Sequence, residues 1–543
     1  VSSEAWGAWP AREDGPNCLQ MAAVDNALPS ERGFVRSMNS RPEGAALGDD
    51  RVTSAEAINA AHAQLVATFR TGRTRSYEWR EAQLQGIRRL CAEHTQEICE
   101  AVMADLGRPK MEAFLGEITA VISEVDSALA NLKSWMEPES VSTPLTQRPG
   151  YSVVVREPKG VVLDMSPWNF PINLPLASLA AILAAGNCCL VKPSEVTPKS
   201  EEFLKKLLPR YVDPEAVVVV TGGVPEATAL LKLRWDHIVY TGNGAIARVV
   251  LRAAAEHLTP CTLELGGKSP TVVLPGANIQ VAARRILSSK CLNAGQICIA
   301  PDYAIVHESL EEPLVQEMQR TLRSWYGEDA GASGHFGRIV NESHFRRVRE
   351  LIASSGGEVL PQQGKMDEAS KFIPPTLIRS PGPESPVMGE EIFGPVLPII
   401  KKKSVEEMVE HINAGEKPLA LYIFGPPAEA DKIIRSTSSG GVCVNDTIMH
   451  FANPDLPFGG VGGSGMGRYH GKWGFDEFSH VRGVMYRSTW PDPPQRYPPF
   501  TDANMKFMEK LLIGPLLPPG VKKAMAALGG LGLAGAAASM LRS

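Results

Sequence analysis

The sequence predicts an α/β protein built on mostly parallel sheets and divided into more than one domain. Three observations predict it. The chain has 543 residues, more than one hydrophobic core usually serves. Short apolar runs alternate with helical patterns of about ten to fifteen residues, as in βαβ units. Several of those runs end directly in Gly, Ser or Thr loops, where open α/β sheets bind ligands.

Composition narrows the class. Hydrophobic residues make up 44% and charged residues 21%, near the average for soluble proteins. The formal charge of −5 shows no basic excess, so no nucleic-acid partner is expected. Nine cysteines, Cys18, Cys91, Cys99, Cys188, Cys189, Cys261, Cys291, Cys298 and Cys443, form no CxxC pair and no zinc-spaced set with His. Reduced thiols in the cytosol and no metal are expected. The chain starts at Val1 without a cationic segment leading into an apolar one, so a secretory signal is not expected.

In order along the chain, residues 1–51 mix Gly, Pro, Ser and charges without a sustained period and are expected to form a mobile extension. From Thr53 to about Met136, Ile58, Ala61, Leu65, Phe69, Leu84, Ile87, Leu90, Ile98 and Val102 recur mostly at three- and four-residue steps, which predicts successive amphipathic helices. The break "EPESVSTPLTQRPG" follows. Then come "SVVVREPKGVVLDMS", "CCLVKPS", "AVVVVTGG", "HIVYTG" and "TVVL" as strands between helices. A second alternating stretch runs from about Gly266 to Asp446, with "YAIVHES", "LALYIFG" and "GGVCVND" as strands. The Gly-rich "PFGGVGGSGMGRYHGKWGF" closes the body.

Five segments carry candidate chemistry. "NAGQIC" sets Cys298 behind a small turn, and a thiolate is the nucleophile of cysteine catalysis. A lone cysteine is far more often a buried structural thiol, and the other eight keep that reading. "LELGGKSP" places Glu264 between leucines, where apolar surroundings raise a carboxyl into the range of a useful base; a surface Glu before a turn is the alternative. "SPWNFPINLPL" fixes Asn169 between prolines at a strand end, aiming an amide N–H as an oxyanion hole requires, or simply satisfying a turn. "VKPSE" puts Lys192 and Glu195 past a strand end, where an acidic residue accepts ribose hydroxyls. "YTGNGAIAR" is a strand, Gly loop and helix able to present backbone amides to a pyrophosphate, though without full GxGxxG spacing.

In this order "PWNF", "KPSE", "YTGN", "ELGGKSP", "NAGQIC" and "EEIFGPV" resemble the aldehyde dehydrogenase superfamily, six motifs over roughly 230 residues. "GGVPEATALL", "APDY", "KPLALY", "SSGGV", "PFGGVGGSGMGRYHGK" and "RYPP" resemble its class 3 branch, which includes fatty aldehyde dehydrogenases. The resemblance spans about residues 52–500. It implies a Rossmann-like cofactor domain over 52–136 and 152–264 and an α/β catalytic domain over 265–450. It also implies a small β oligomerisation, or bridging, segment from 137–151 and 451–475, and a class 3 C-terminal segment over 476–501.

The resemblance also implies roles. Cys298 matches the nucleophile, Asn169 the oxyanion-hole amide and Glu264 the general base. Lys192 and Glu195 match contacts to the adenosine ribose, and Glu391 and Phe393 match those to the nicotinamide ribose. Trp168, Thr241, Gly242, Asn243 and Leu265 complete the expected cofactor contacts, while Phe170 and Ile297 fall in the substrate pocket. Three positions depart from the pattern. Asn243 stands where the family usually has Ser, Ala247 where it usually has Gly, and Phe170 where many class 3 members have Tyr. An added methyl near the pyrophosphate is expected to shift how it sits, and the lost hydroxyl to make the pocket more apolar. Glu195 would repel a 2′-phosphate, which favours NAD, although class 3 relatives often accept NADP too.

Residues 502–543 form an apolar tail. Its uncharged core, 524–541, would span about 27 Å as a helix, near the lower limit for a bilayer, and follows Lys522-Lys523. A similar tail anchors fatty aldehyde dehydrogenases, so membrane contact on a cytoplasmic face is expected, with a packing helix on a soluble cytoplasmic protein as the alternative. A long apolar aldehyde, fatty or an apocarotenal, is the expected substrate, and a homodimer the expected assembly. The rival readings are a semialdehyde dehydrogenase and a catalytically silent relative acting as a binding protein. Cys298, Glu264 and Asn169 occurring together weigh against the silent relative.

Overall fold

The computed structural model describes residues 52–144, 147–490 and 492–512. The expected extension over 1–51 and the apolar stretch 524–541 lie outside the described residues. The chain divides into two compact units, one of residues up to 135 with 158–480, the other of 136–157 with the chain from 481 onward.

The first unit opens with the helices Ala55–Arg70, Tyr77–Glu93 and Thr95–Leu106. Ser54 and Ser76 cap the first two by accepting backbone N–H bonds from Ala57 and Trp79. Of the residues whose spacing predicted these helices, Ile58, Leu65, Leu84, Ile87, Leu90, Ile98 and Val102 are buried, while Ala61 and Phe69 are half-buried against the core that holds Ile58 and Leu65. A π-helical turn, Phe114–Thr119, leads into the helix Ala120–Met136; such turns gather at functional sites.

Strands follow in the predicted alternation. They are β1 (Glu139–Val141), β2 (Tyr151–Pro158), β3 (Val161–Met165), β4 (Cys188–Lys192), β5 (Val217–Val219), β6 (His237–Thr241), β7 (Cys261–Glu264) and β8 (Pro270–Val273). Then come β9 (Tyr303–His307), β10 (Glu358–Val359), β11 (Thr376–Arg379), β12 (Val396–Lys402), β13 (Ala420–Phe424), β14 (Gly441–Val444), β15 (Gly465–Met466) and β16 (Ser479–Tyr486). One six-stranded sheet has the order β15-β7-β6-β3-β4-β5 and one seven-stranded sheet the order β10-β11-β12-β9-β8-β13-β14. Within each, pairing is parallel except at one edge, where β15 and β10 run antiparallel. Burial of β3 and β4 along their whole length explains why they read as continuous apolar runs rather than alternations.

Strand order reverses between β3 and β6, which is the switch point where such sheets bind ligands. Met165 pairs with Lys192 and with Tyr240, and Thr241 with Glu264. These registers bring the carboxyl ends of β3, β4, β6 and β7 to one edge. Behind β3 the helix α1 (Asn173–Ala184) is buried on every face, as its unbroken apolar sequence requires. Much of the Gly-rich stretch near residue 460 is close backbone approach. A Cβ on Gly465 would meet the Leu263 carbonyl oxygen at 2.2 Å, so β15 pairs with β7 only because that side chain is missing.

In the second unit β1, β2 and β16 form a three-stranded sheet, with Tyr151 stacked on Tyr486 at 4.6 Å between ring centroids. A helix, Asp502–Leu512, follows as the described part of the tail. Among the described residues no helix is long and apolar enough to cross a membrane.

Candidate active site

The site lies beyond the carboxyl ends of β3, β6 and β7 and is completed by the turn that follows the helix α2 (Ile279–Cys291). Glu264 is the last residue of β7 and 1% exposed, with neither carboxylate oxygen hydrogen-bonded. Burial, with the charge of Glu477 adding to it, holds this carboxyl well above the ordinary carboxylate range.

After α2 the chain makes a turn in which Asn293, Ala294 and Gly295 all take left-handed φ values of 52°, 51° and 74°. Gly295 has no room for a side chain, since a Cβ would meet the Gly394 carbonyl oxygen at 2.2 Å. Gln296 locks the turn. Its side-chain amide donates to the Asn293 and Arg338 carbonyls at 3.0 and 2.9 Å and accepts from the Val340 N–H at 3.0 Å. Cys298 follows. Burial pushes its thiol up, and the carboxyls of Glu391 and Glu264 push the same way, while the N–H groups of Cys298 and Ile299 favour the thiolate.

Asn169 reaches the same turn from the loop after β3. It is 3% exposed, and its Nδ2 donates to the Gln296 carbonyl at 3.1 Å. Phe170 packs under the Arg108 guanidinium, 4.4 Å from ring centroid to cation, and Ile297 is buried beside the thiol in sequence. The structure therefore gathers Cys298, Glu264 and Asn169 around one turn.

A second group sits along the sheet edge. Gly242 leads into the helix α3 (Gly244–Ala255), and Asn243 caps it by accepting the Ile246 N–H at 3.0 Å. A Cβ at Gly242 would meet the Tyr240 hydroxyl at 2.3 Å, so the loop is bare of side chains there. Thr241 is half-buried, and Leu265 is buried after β7. Ala247 is 2% exposed and belongs to the core behind the sheet, so its methyl faces the core rather than the loop surface. Lys192 Nζ lies 3.4 Å from Glu195. Trp168 stands between His344 and Phe393, with centroids 5.1 and 5.3 Å away. Glu391 is held at about 8 by burial and the nearby Asp302, and its Oε1 has no partner. A side-chain-free loop at a helix start, a lysine and carboxylate at the neighbouring strand end, and an orphaned carboxylate oxygen fit a dinucleotide.

Sequence reading passed over several residues that hold this site. Arg108 and Glu117 form a fully buried pair beneath Asn169. Lys268 bonds Asp302 at 2.5 Å and the Val387 and Glu390 carbonyls at 2.8 and 2.9 Å, tying the loop after β7 to the segment that carries Glu391. Lys290, at the end of α2, is buried with no partner and lowered by burial to about 8. Charged residues inside otherwise apolar periods were the available signal, and it did not tell a buried charge from a solvated one. Among the described residues, no group of three or more His, Cys, Asp or Glu could hold a metal ion.

Comparison with known proteins shows the family. The family model "Aldehyde dehydrogenase family" matches residues 31–484. The rat "Aldehyde dehydrogenase, dimeric NADP-preferring" is 44% identical over 79% of this chain and 95% of its own. The mouse "Aldehyde dehydrogenase family 3 member A2" is 43% identical over 83% and 93%. Among solved structures, the substrate-bound state of Staphylococcus aureus AldH aligns with a TM-score of 0.81 at 39% identity, covering 84% of this chain and 99% of that one. With the motifs, the fold and these likenesses in agreement, the chain belongs to the aldehyde dehydrogenase family, oxidoreductases that oxidise aldehydes with a nicotinamide cofactor.

Proposed function

We propose that Cys298 is the nucleophile, Asn169 the oxyanion donor and Glu264 the general base in oxidation of an apolar aldehyde to its carboxylic acid. The observation that carries this reading is the convergence on one turn of a thiol, a fixed amide and a carboxyl with both oxygens unpaired.

The Cys298 thiol gives up its proton to solvent, the resulting thiolate bonds the aldehyde carbon, and the carbonyl π electrons move to oxygen. The Asn169 amide nitrogen carries two hydrogens; the bond to Gln296 uses one and fixes the direction of the other, available to that oxyanion with a backbone N–H near Cys298. A nicotinamide cofactor, when bound, would accept the hydride lost from the former aldehyde carbon; the oxyanion's electron pair re-forms the carbonyl, and what remains on sulfur is a thioester. Glu264 then takes a proton from water as its oxygen bonds the acyl carbon, and the carbon–sulfur bond breaks to release the acid. Lys192, Glu195, Thr241, Gly242, Asn243, Leu265, Trp168, Glu391 and Phe393 would hold the cofactor. Glu195 favours NAD by repelling a 2′-phosphate, with NADP a weaker alternative.

Phe170 and Ile297 support a long apolar substrate, fatty or polyene, over a semialdehyde. The apolar stretch 524–541, preceded by Lys522-Lys523, supports membrane contact through the tail. A homodimer is supported by the rat relative's name and by exposed apolar residues on the second unit's small sheet, Val141, Tyr151, Val481, Met485 and Tyr486. The test measures formation of the reduced cofactor with aldehydes of increasing chain length. Efficiency should rise from acetaldehyde to hexadecanal; equal efficiency on the two would sink the apolar assignment.

A further inference from the structure

Arg108 is fully buried between three segments that lie far apart in sequence. Its Nε donates to Asn293 Oδ1 at 3.0 Å, its Nη1 to Glu117 and its Nη2 to the Asn169 carbonyl. The other oxygen of Glu117 accepts the N–H groups of Ile172 and Asn173 at 3.1 and 2.8 Å, which fixes the start of α1 immediately after the Asn169 loop. Asn293 Nδ2 donates to the Asn169 and Gln296 carbonyls at 2.9 and 3.1 Å. With the Asn169 amide bonded to Gln296, the contacts close a ring through Arg108, Asn169, Gln296 and Asn293. A guanidinium forks to three acceptors in one plane, and a lysine ammonium in its place would lose that geometry.

We propose that Arg108, acting through Asn293, is a positioning residue that aims the Asn169 amide at the oxygen of a carbonyl bonded to Cys298. Arg108 does not touch the reacting atoms. It holds the backbone at one end of Asn169 while Gln296 holds the side chain at the other. A displacement of about 1 Å at such a group lowers rate by about 10²-fold without removing any reacting atom. This proposal rests on the reading of Asn169 as oxyanion donor.

Two reactions of Cys298 separate aiming from general loosening. Esterolysis of p-nitrophenyl acetate passes through an oxyanion: sulfur bonds the acyl carbon, p-nitrophenolate leaves, and water then releases acetate. Alkylation by iodoacetamide displaces iodide at a methylene carbon and forms no oxyanion. In Arg108→Lys, which keeps a charge against Glu117, acylation by the ester should fall about 10- to 100-fold. Alkylation of Cys298, followed by mass spectrometry with Cys298→Ala as blank, should change less than about threefold, since it needs no oxyanion donor. Asn169→Ala should show the same split, and the double variant should be no slower than Asn169→Ala alone, because both act through one amide. Asn293→Gly, which keeps the left-handed turn and deletes the bonded amide, gives the same split and carries the test if Arg108→Lys does not fold. Additive losses, or equal losses in both reactions, would overturn the proposal. If Asn169→Ala leaves esterolysis intact, the oxyanion assignment fails and this one with it. If Asn169→Ala slows esterolysis but Arg108→Lys and Asn293→Gly do not, only the role of Arg108 is lost.

Discussion

Around Asn169, the buried polar groups of Arg108, Glu117, Asn293 and Gln296 are hydrogen-bonded to one another or to nearby backbone. Around Cys298 the pattern reverses, with both oxygens of Glu264 and Oε1 of Glu391 buried and without partners, and near Glu391 the buried Nζ of Lys290 also lacks one. A buried polar group left unsatisfied costs about 1–3 kcal/mol, so several in one place are expected only where substrate, cofactor or water uses them. On the proposed mechanism, the paired half sets geometry and the unpaired half performs the chemistry. The distinction is measurable because the two kinds of group answer mutation differently: changing a paired group disturbs geometry and slows the reaction through it, whereas changing an unpaired one slows the reaction without destabilising the fold.

The hardest test of that contrast is Cys298→Ala. Aldehyde oxidation should fall by at least about 10³-fold, since no neighbouring group replaces a nucleophilic sulfur. The melting temperature should move by no more than about 2 °C, because the change deletes a single sulfur atom from a position that is not fully buried. A fall of many degrees would make the thiol a packing group and break the contrast.

Glu264→Gln sharpens it. Thioester hydrolysis should fall by about 10²- to 10⁴-fold while the first turnover still yields reduced cofactor, so that a burst precedes a collapsed steady rate. Hydrolysis by the parent enzyme should rise with pH as this raised carboxyl loses its proton, and the variant's profile should lose that limb. Stability moves the opposite way. A carboxyl whose folded pKa lies above the unfolded 4.5 holds its proton more tightly when folded. Its contribution is full below 4.5 and is lost as pH rises through the folded value. At neutral pH the variant should therefore melt roughly 1–3 °C higher, the gain vanishing in acid. Equal melting temperatures at neutral and acid pH would mean that Glu264 is solvated.

The contrast also explains what the sequence disclosed. The α/β class, the alternation of strands and the helices before residue 136 followed from periodicity, because burial of whole faces leaves a repeating mark. Cys298, Glu264 and Asn169 were legible because each sits in a short local motif next to a strand end or turn. Arg108 and Glu117 left no such mark. Glu117 lies within "FLGEIT" and Arg108 within "DLGRPK", where a charge reads as a solvated face. Besides each other, Arg108 bonds Asn169 and Asn293, 61 and 185 residues away, and Glu117 bonds Ile172, 55 away, separations no local pattern encodes. Asn293 and Gln296 were inside a quoted motif, yet only the three left-handed residues of the folded turn show why that motif needs them. The methyl of Ala247 was expected near the cofactor loop and lies in the core, since helix phase rather than sequence proximity decides its direction.

Glu195 tests the middle ground between the two halves and carries the smallest expected effect. Its side chain is 37% exposed and accepts a bond from Lys192 at 3.4 Å, so it is neither buried and paired nor buried and free. If it faces the adenosine ribose, it accepts hydroxyl bonds from NAD and repels the 2′-phosphate of NADP. Glu195→Gln keeps the shape and the acceptor but removes the charge. The ratio of kcat/KM for NAD over that for NADP should then fall about tenfold, chiefly through the KM for NADP, because two unit charges near a surface interact by about 1 to 4 kcal/mol before salt screens them. The melting temperature should not change, and the shift in ratio should shrink as ionic strength rises. A ratio that stays fixed at low salt would place the carboxylate away from the ribose and move cofactor choice to another contact, with Asn243 and the start of α3 the next positions to vary.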